Sequence, residues 1–397
     1  MKNALLLLMM AFLISCNSYF GDKTDLDFIE VPDFSIRDVA YVPIQPALTQ
    51  FVRPIDICIG FDELVYVVDE ATEEVVCLDE AGTEIGRLKI QGARAVVQDR
   101  RFNLLVIGSK TQEISGVNYD LSCIYRINLQ GNSGYGLSNA QITNTIVHPF
   151  YFKSTFSSGD ALVKFNKIAV IGDNFNPARN NSWYVSRTGP SRNNAGLGPD
   201  DAILLFNNED DFESPVVVNT SAGQFNDYFD QPFGLVGRTQ PPQISAINSA
   251  DFIFTSLDNN NLLKVQYIEF LESEFGAEYR ASILPPDTSL ADGFLYEPNK
   301  FSEPKHLALS GDGTNYLFVT DAAKDSVYQF NLNGFEGILP PPASGIKRYQ
   351  IASFGGKGIG LTQFNEPRGV AYWNKILYVC DAGNGRLLRF KLTLDFD

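Results

Sequence analysis

Short apolar runs bounded by glycine, proline, asparagine and aspartate recur along most of the chain. Three of them, residues 64–68, 316–320 and 376–380, lead directly into an aspartate. Apolar stretches of this length between turn-forming residues are typical of buried β-strands, and no convincing long helical period competes with them. The pattern predicts an all-β fold.

The spacing around these aspartates repeats. In each case the first apolar residue of the next run lies six positions after the aspartate: Val75 after Asp69, Val327 after Asp321 and Leu387 after Asp381. A run that begins with proline precedes each aspartate-ending run, at residues 54–58, 304–309 and 367–372. A shared offset in three copies indicates one repeated unit of short strands. Because such a unit cannot bury its faces alone, further copies are expected elsewhere in the chain.

The last unit carries the most recognisable motifs. Pro-x-Gly-Val at residues 367–370 is followed by Tyr-Val-x-Asp at 378–381 and Gly-Asn-x-Arg at 383–386. Together with the glycine-rich segment 354–358, these motifs make the unit resemble the NHL repeat, the blade of a family of β-propellers. The resemblance implies that the proline-led strand lines a central channel and that the aspartate-ending strand is the second strand of its blade.

Three weaker copies of the unit fill the middle of the chain. Their second and third strands are predicted at residues 104–109 and 124–127, at 168–173 and 202–206, and at 252–256 and from 262 onward. The first two copies need a longer loop between these strands, of more than twenty residues in the second of them. The total is six units, within the range of about four to eight blades found in propellers. The predicted fold class is therefore a six-bladed β-propeller.

The end of the chain suggests how the ring closes. Few residues follow Leu392, so the sixth unit has three strands and lacks its outermost one. Residues 28–43 precede the first proline-led strand and have strand character, especially residues 34–42. We expect this segment to pair as the outer strand of the last blade, because an uncovered strand edge invites aggregation. Residues 28–397 would then form one closed domain.

The first residues have the pattern of an export signal. Lys2 is followed by an apolar run at residues 4–14, which is too short to span a bilayer comfortably, and Cys16 stands two residues later. The Leu-x-Ser-Cys ending resembles the lipobox of bacterial lipoproteins, which implies a signal peptide at residues 1–15 and an acylated Cys16. An ordinary signal peptide with a chance cysteine is the alternative. On the lipoprotein interpretation residues 16–27 are a lipidated tether, and the protein is an outer-membrane lipoprotein of the cell envelope.

The charge of the chain narrows the range of partners. The formal net charge is −16, and it becomes −17 once the signal peptide with Lys2 is removed. An acidic surface repels nucleic acid and offers no phosphate-binding footprint. We expect a monomeric ring that meets the membrane only through its lipid anchor.

The remaining cysteines are far apart in sequence and lie within apolar runs, at Cys58, Cys77, Cys123 and Cys380. An exported protein permits disulfides, but these four form no pair with metal-site spacing. Buried free thiols are the favoured interpretation, because free cysteine packs as a small hydrophobe.

A long insertion in the third unit is the first candidate for recognition. Residues 174–198 are rich in asparagine, glycine, proline and arginine, and they are expected as a loop between the second and third strands. Arginine, tryptophan and tyrosine dominate binding hot spots, and aromatic faces suit sugar rings. We therefore predict a partner-binding patch formed by side chains of this insertion and of the segment before the third unit: Tyr151, Arg179, Trp183, Tyr184, Arg187 and Arg192. A solvated loop packed by its own aromatic side chains is the alternative.

Aspartates and histidines offer weaker candidates. Asp69, Asp321 and Asp381 recur once per unit, so each is expected to accept backbone N–H bonds in the following turn rather than to bind a cation. His148 and His306 are the only histidines, too few for a three-histidine zinc site. His306 lies on a predicted channel strand and is a candidate general base, although a core histidine is the simpler interpretation.

Two functions from different classes fit these observations. The preferred one is a non-enzymatic binding scaffold, lipid-anchored at the cell envelope, that presents one loop-built face to a protein or glycan partner. The alternative is a metal-assisted lyase or hydrolase at the channel mouth, as the resemblance to propeller enzymes implies. No cofactor is predicted, although oxygen-rich runs at residues 207–211 and 257–261 leave calcium open. A structural subunit of an outer-membrane uptake or secretion complex is a third interpretation, since fold alone does not determine function.

Overall fold

The computed structural model describes residues 39–131, 133–189, 201–225, 228–239, 249–274, 276–282 and 288–396. These residues form β-strands joined by turns and short 3-10 segments. No helix in this part of the chain has the length and apolar character needed to cross a bilayer. Residues 1–38, with the predicted signal peptide, Cys16 and the tether, lie outside the described residues, so those assignments stay predictions.

In the described residues the strands form six larger sheets, one for each predicted blade, and one separate two-stranded sheet. The first strand, β1 (Tyr41–Leu48), belongs to the last blade. Blade 1 consists of β2 (Pro54–Ile59), β3 (Val65–Asp69), β4 (Glu74–Leu78) and β5 (Glu84–Lys89). Blade 2 contains β6 (Ala95–Gln98), β7 (Asn103–Ile114) and β8 (Val117–Asn128), then a small hairpin of β9 (Gln130–Gly131) and β10 (Gly134–Tyr135), and the outer strand β11 (Gln141–Val147). Blade 3 consists of β12 (Lys164–Val170), β13 (Trp183–Thr188), β14 (Ala202–Phe206) and β15 (Phe212–Pro215).

The second half of the chain repeats this plan. Before blade 4, the short strands β16 (Val218–Thr220) and β17 (Gly223–Phe225) add to its outer edge. Blade 4 itself consists of β18 (Pro232–Gly237), β19 (Phe252–Ser256), β20 (Val265–Ser273) and β21 (Gly276–Ser282). Blade 5 consists of β22 (Pro304–Leu309), β23 (Tyr316–Asp321), β24 (Ser326–Asn331) and β25 (Phe354–Gly355). Blade 6 contains β26 (Pro367–Trp373), β27 (Ile376–Asp381) and β28 (Arg386–Leu392).

The first strand closes the ring, as predicted. β1 pairs antiparallel with β28, with Tyr41 opposite Leu392, and so supplies the fourth strand of blade 6. The described strand spans residues 41–48 and overlaps the end of the predicted segment 28–43, whose residues 28–38 lie outside the described part of the chain. Two prolines in this strand, Pro43 and Pro46, weaken the strand signal there. An outer strand tolerates proline because one of its edges carries no partner strand.

Two middle blades differ from their predicted form. In blade 2 there is no long loop between the second and third strands, because β7 and β8 extend into one long hairpin. Its turn, Ser115 and Gly116, has φ angles of 54° and 80°, which suit a tight hairpin. In blade 3, residues 168–170 belong to the innermost strand β12, and the second strand is β13, inside the supposed insertion. The β-branched and aromatic residues of β13 are buried in the sheet, which explains why this stretch is a strand.

A hydrophobic core fills each of the six interfaces between neighbouring blades. Between blades 2 and 3, for example, Ile107 packs in one cluster with Phe165 and with Trp183, whose ring stacks on Phe206 with 4.2 Å between centroids. Aromatic stacking adds to the area that such side chains bury. These cores fix the blades side by side, and they hold the six innermost strands around the central channel.

Candidate functional site

The six innermost strands β2, β6, β12, β18, β22 and β26 line the channel. Residues at the starts of these strands line a cavity at one end, and residues further along them line a second cavity. Positions along the inner strands are counted from Pro54, Ala93, Phe165, Pro232, Pro304 and Pro367 as the first residue. In five of the six strands a β-bulge lies just after this residue, as between Pro54 and Asp56 or between Pro304 and His306. A bulge re-aims side chains, and here the residue inside it lines the first cavity.

We call the first cavity the mouth. At the second position of the six strands it is lined by Ile55, Arg94, Asn166, Phe233, Lys305 and Arg368. Phe165, Lys167 and Glu70, which pairs with Arg53, complete the lining. The space is about 380 Å³, counting the part that is open to solvent. Three of the six residues are cationic, although the whole chain is strongly acidic.

The three cations of the mouth differ in their partners. Lys305 Nζ lies 3.1 Å from Glu303, and Arg368 lies 3.2 Å from Glu366. Arg94 is exposed, and its side chain makes no hydrogen bond or ion pair with any residue that the structure describes. Lys305 also lies 5.0 Å from the centre of the Phe233 ring. The mouth therefore offers one unpaired guanidinium and two partly neutralised cations around an aromatic face.

The repeated aspartates hold the segments that lead into the inner strands. Asp69 accepts hydrogen bonds from the backbone N–H groups of Val52 and Arg53, just before β2, at 2.6 and 3.0 Å. It also accepts one from Ala71 in the following turn, as predicted. Asp321 makes the same contacts in blade 5. In blade 6, Asp381 accepts from Asn365 N before β26, but in the following turn it accepts from the side chains of Asn384 and Arg386 instead of the backbone. The aspartates are structural, and they place the residues that form the mouth.

The third position of the inner strands closes the channel below the mouth. In blades 1, 3 and 5 it is occupied by Asp56, Lys167 and His306, which meet and form what we call the plug. In blades 2, 4 and 6 the same position holds Ala95, Gly234 and Gly369. A Cβ on Gly369 would come within 3.1 Å of the Asp56 Cα, so the small residues make room for the large ones.

Hydrogen bonds and charge hold the plug together. Asp56 Oδ1 accepts from the Lys167 ammonium and lies 2.7 Å from His306 Nε2, while Oδ2 accepts from Val96 N at 2.7 Å. The other ring nitrogen of His306, Nδ1, accepts from Val370 N at 3.4 Å. These contacts fit a neutral imidazole that carries its proton on Nε2.

Burial and mutual charge set the protonation of the plug. Burial lowers the pKa of His306, the Lys167 ammonium lowers it further, and the opposing effect of Asp56 is smaller. Burial raises the pKa of the Asp56 carboxyl, but Lys167 and His306 more than offset this, so the pKa lies below its usual value. Burial likewise lowers the pKa of Lys167, against the attraction of Asp56. At neutral pH the plug holds one anion, one cation and one neutral imidazole.

Beyond the plug the channel opens into the second cavity, which we call the bowl. It measures about 700 Å³, counting the part open to solvent. The plug residues line its closed end, and only Lys167 among them also lines the mouth. Around its wall stand the fifth residues of the six strands, all small or of moderate size: Cys58, Val97, Ala169, Val236, Ala308 and Ala371.

The predicted partner-binding patch does not form one surface. Trp183 and Tyr184 have no exposed area and Arg187 is buried, because all three lie on β13 within blade 3. Tyr151 packs into the same core, 5.3 Å from the Phe206 ring. Their placement on an exposed loop was wrong, since a strand ran through the supposed insertion.

Arg179 and Arg192, the other two residues of that patch, have different outcomes. Arg179 lies on the loop before β13, at the opposite end of that strand from Arg187. It pairs with Asp173 and Glu272 and stacks at 4.5 Å on the Phe270 ring. Arg192 lies outside the described residues. The patch is therefore not assembled by the described part of the chain.

The structure shows the state of the four cysteines and the arrangement of possible metal ligands. Cys58, Cys77, Cys123 and Cys380 are free thiols, and all but Cys58 are buried. In the described ranges, no three His, Cys, Asp or Glu side chains are grouped as metal ligands would be. Within the 207–211 run, Asp210 pairs with Arg126 and accepts from Trp183 Nε1.

Sequence reasoning missed the mouth, although a signal was present. Lys305 and Arg368 each follow the proline that opens an inner strand, and Arg94 holds the corresponding position in blade 2. Alignment of the units by that position would have brought the three cations together. The link between Asp56 and Lys167 had no such signal, because their opposite charges face each other across blades that are not neighbours.

Comparison with known proteins agrees with the fold. The family model for the NHL repeat matches residues 364–390, most of blade 6. No curated protein matches the sequence. An auxiliary nutrient binding protein from Bacteroides thetaiotaomicron is similar in structure, with a TM-score of 0.51 and 9% identity over 86% of this chain and 69% of that one.

Two enzymes are among the other similar structures. A gluconolactonase from Xanthomonas campestris has a TM-score of 0.49 and 10% identity over 90% of this chain and 91% of that one. Virginiamycin B lyase from Staphylococcus aureus has a TM-score of 0.43 and 11% identity over 88% and 99%. Fold alone does not determine function.

Proposed function

We propose that the protein is a non-enzymatic binding scaffold of the cell envelope that holds a carboxylate-bearing glycan or protein partner at the mouth. The observation that carries this proposal is the meeting of Arg94, Lys305 and Arg368, from three different blades, on a chain of net charge −16. Three cations gathered on a molecule of negative net charge favour a ligand group that is negatively charged. A carboxylate is suited to them because a guanidinium can donate two parallel hydrogen bonds to it.

The shape of the mouth suits a partner that inserts only a small part of a longer molecule. The plug closes the channel below it, so a ligand can enter only to the depth of Lys167. Phe233 provides an apolar face beside the cations, and such faces suit sugar rings. The proposed occupant of the mouth is one or two acidic sugar units, or a short acidic stretch of protein, with the rest of the partner outside.

The enzymatic alternative rests on the plug, where three groups with shifted pKa values lie together. Against a base role for His306, its Nε2 faces Asp56 and its Nδ1 accepts from Val370 N. Neither nitrogen is left to take a proton from a substrate in this arrangement. Metal analysis of the purified protein tests this alternative, and one equivalent of calcium or zinc that survives dialysis would favour it over the scaffold.

Calorimetric titration with an oligogalacturonate tests the scaffold directly. The full chain carrying Cys16→Ser is used, so that no acyl chain requires detergent. We expect binding that weakens with added salt, as screened charges require. Arg94→Ala should weaken it about tenfold or more, since a hydrogen bond between charged groups contributes about 1.5–3 kcal/mol. Arg280→Ala is the matched control, because Arg280 is exposed on an outer strand and pairs with Glu278.

Two results would count against the proposal. Equal binding of a neutral malto-oligosaccharide would remove the role of charge, and an unchanged affinity in Arg94→Ala would place the site elsewhere. Binding of an acidic peptide such as oligoglutamate in place of the glycan would keep the site and change the partner class.

The cellular location is part of the same proposal. Cys16 would carry the lipid that holds the scaffold at the outer membrane, with residues 17–27 as the rest of its tether. Two or more acyl chains give stable anchoring, at roughly 0.8 kcal/mol per buried CH₂. Radiolabelled palmitate should enter the natural chain and not the Cys16→Ser chain; labelling of both would contradict the assignment.

A further inference from the structure

The bowl has the properties of a second binding site, separate from the mouth. The repeat itself produces the space: the fifth residue of every inner strand is small or moderate in size, with alanine in three of the six. The bowl is about 700 Å³ when the part open to solvent is counted, and at the level of the fifth residues its wall is apolar in all six strands. Apolar walls of this kind take up an apolar molecule, because its transfer from water is favourable.

The closed end of the bowl carries spare hydrogen-bond donors. The Lys167 ammonium has three N–H groups, and within the described part of the chain Asp56 is its one hydrogen-bond partner. The lysine side chain is 7% exposed, so little water can satisfy the other two. A buried donor without a partner costs free energy, which an acceptor atom at this point would recover.

The charge of the plug selects the kind of acceptor. Asp56 and Lys167 cancel each other, and His306 is neutral, so the end of the bowl carries no net charge. A carboxylate placed there would lie close to Asp56 and would lose its hydration in an apolar cavity, which is costly. A carbonyl oxygen can accept from Lys167 without either penalty.

We propose that the bowl binds a small neutral molecule with an apolar body and a carbonyl oxygen, which accepts hydrogen bonds from Lys167. The six residues at the fifth position surround the apolar body. The ligand differs from that of the mouth in charge, and it enters from the opposite end of the channel. The proposal therefore does not depend on the scaffold function.

The test uses the neutral naphthyl ketone 6-propionyl-2-dimethylaminonaphthalene, whose emission moves to shorter wavelength in apolar surroundings. We expect saturable, equimolar binding to the full chain carrying Cys16→Ser. The comparison ligand 2-dimethylaminonaphthalene lacks the ketone, and it should compete at least tenfold more weakly. This comparison needs no substitution in the channel, so it holds even if plug variants fail to fold.

Variants then locate the site. Val97→Phe places a ring in the bowl and should weaken binding of the ketone at least tenfold, while Val97→Ala leaves the bowl open and should not weaken it. Arg280→Ala, at an exposed residue of an outer strand, should leave the affinity unchanged. Absence of saturable binding, equal affinity of the two naphthalenes, or full binding to a folded Val97→Phe chain would each overturn the proposal.

Discussion

The mouth and the bowl are built from the same six strands, yet they offer opposite chemistry. The mouth exposes the second residue of each strand, which the β-bulge turns toward it, and three of these are cationic. The bowl exposes the fifth residue, which is apolar in all six strands. A move of three residues along a strand thus replaces cationic side chains by small apolar ones. In a propeller, unlike sites can arise from position within the repeat, without long insertions.

The plug is what keeps the two cavities distinct. Its three large residues come from alternate blades, and the blades between them contribute alanine or glycine. Alternation of large and small residues lets a layer of side chains fill a closed ring. Here the layer is ionic, so its integrity depends on charge as well as on volume.

Removal of the plug anion should have the largest effect. Asp56→Ala leaves the Lys167 ammonium buried without its partner, and breaking a buried pair in this way costs about 3–5 kcal/mol. We expect that loss in the free energy of unfolding, measured by urea titration followed by tryptophan fluorescence. The control is Asp292→Ala, because Asp292 is 68% exposed and pairs with Arg348 at the surface. Exposed pairs contribute about 0–1 kcal/mol, so equal losses in the two variants would contradict an ionic plug.

Acid should destabilise the fold by a smaller amount, through the two histidines. His148, outside the channel, is buried beside Tyr151 and Phe152 and lies 3.5 Å from Asp160. Burial, and next the Arg187 charge, lower the pKa of His148 to about 3, while Asp160 opposes this more weakly. The pKa of His306 is lowered too. Between pH 6.5 and each folded-state pKa the unfolded chain binds more protons, so stability falls as the pH falls.

The expected size of that loss follows from the His148 value. At pH 5 it is about 2 kcal/mol for His148, since one pKa unit corresponds to about 1.4 kcal/mol. Urea titrations at pH 7.5 and pH 5 measure it. His148→Phe should abolish the part of this acid-induced loss of stability that comes from His148, outside the channel. His306→Gln should abolish the part that comes from the plug. A stability that is flat or rises toward pH 5 would show that these imidazoles are not held neutral.

The smallest expected effect concerns coupling between the two cavities. Saturation of the mouth with oligogalacturonate should change the affinity of the bowl for the naphthyl ketone less than about twofold. Coupling is a free energy, and a change of tenfold corresponds to about 1.4 kcal/mol. Fluorescence titration with and without the glycan measures it. A tenfold change would mean that Lys167, which lines both cavities, transmits binding between them.

The fold could be predicted from sequence because its signal is local and repeated. The offset from Asp381 to Leu387 recurs in two other blades, and in all three the aspartate accepts backbone N–H bonds from the segment that leads into the inner strand. The signal failed in blade 3, where the second strand ends in Arg187 and Thr188 and the aspartate is missing. Without that marker, the sequence pattern assigns β12 as the second strand and places β13 in a loop, and both assignments are wrong.

The candidate site could be predicted far less well. Trp183 and Arg187 have the composition of a binding surface, but the same residue types pack cores, and only burial separates the two uses. The plug depends on residues as far apart in sequence as Asp56 and His306. Such contacts become visible only when the ring brings alternate blades together. His306 was correctly placed on a channel strand, but its partners were not foreseen.

Closure of the ring by β1 sets an order on events during synthesis. The backbone N–H of Ala40 reaches Thr393 across 353 positions in sequence, and β1 pairs only with β28. Of the described strands, β1 is synthesised before all the others and β28 after them, so β1 is the last to find its partner. Until then the nascent chain has no closed ring and neither complete cavity. Contacts of such long range are formed slowly. A chain without β28 would leave β1 without its partner strand, so the ring would not close.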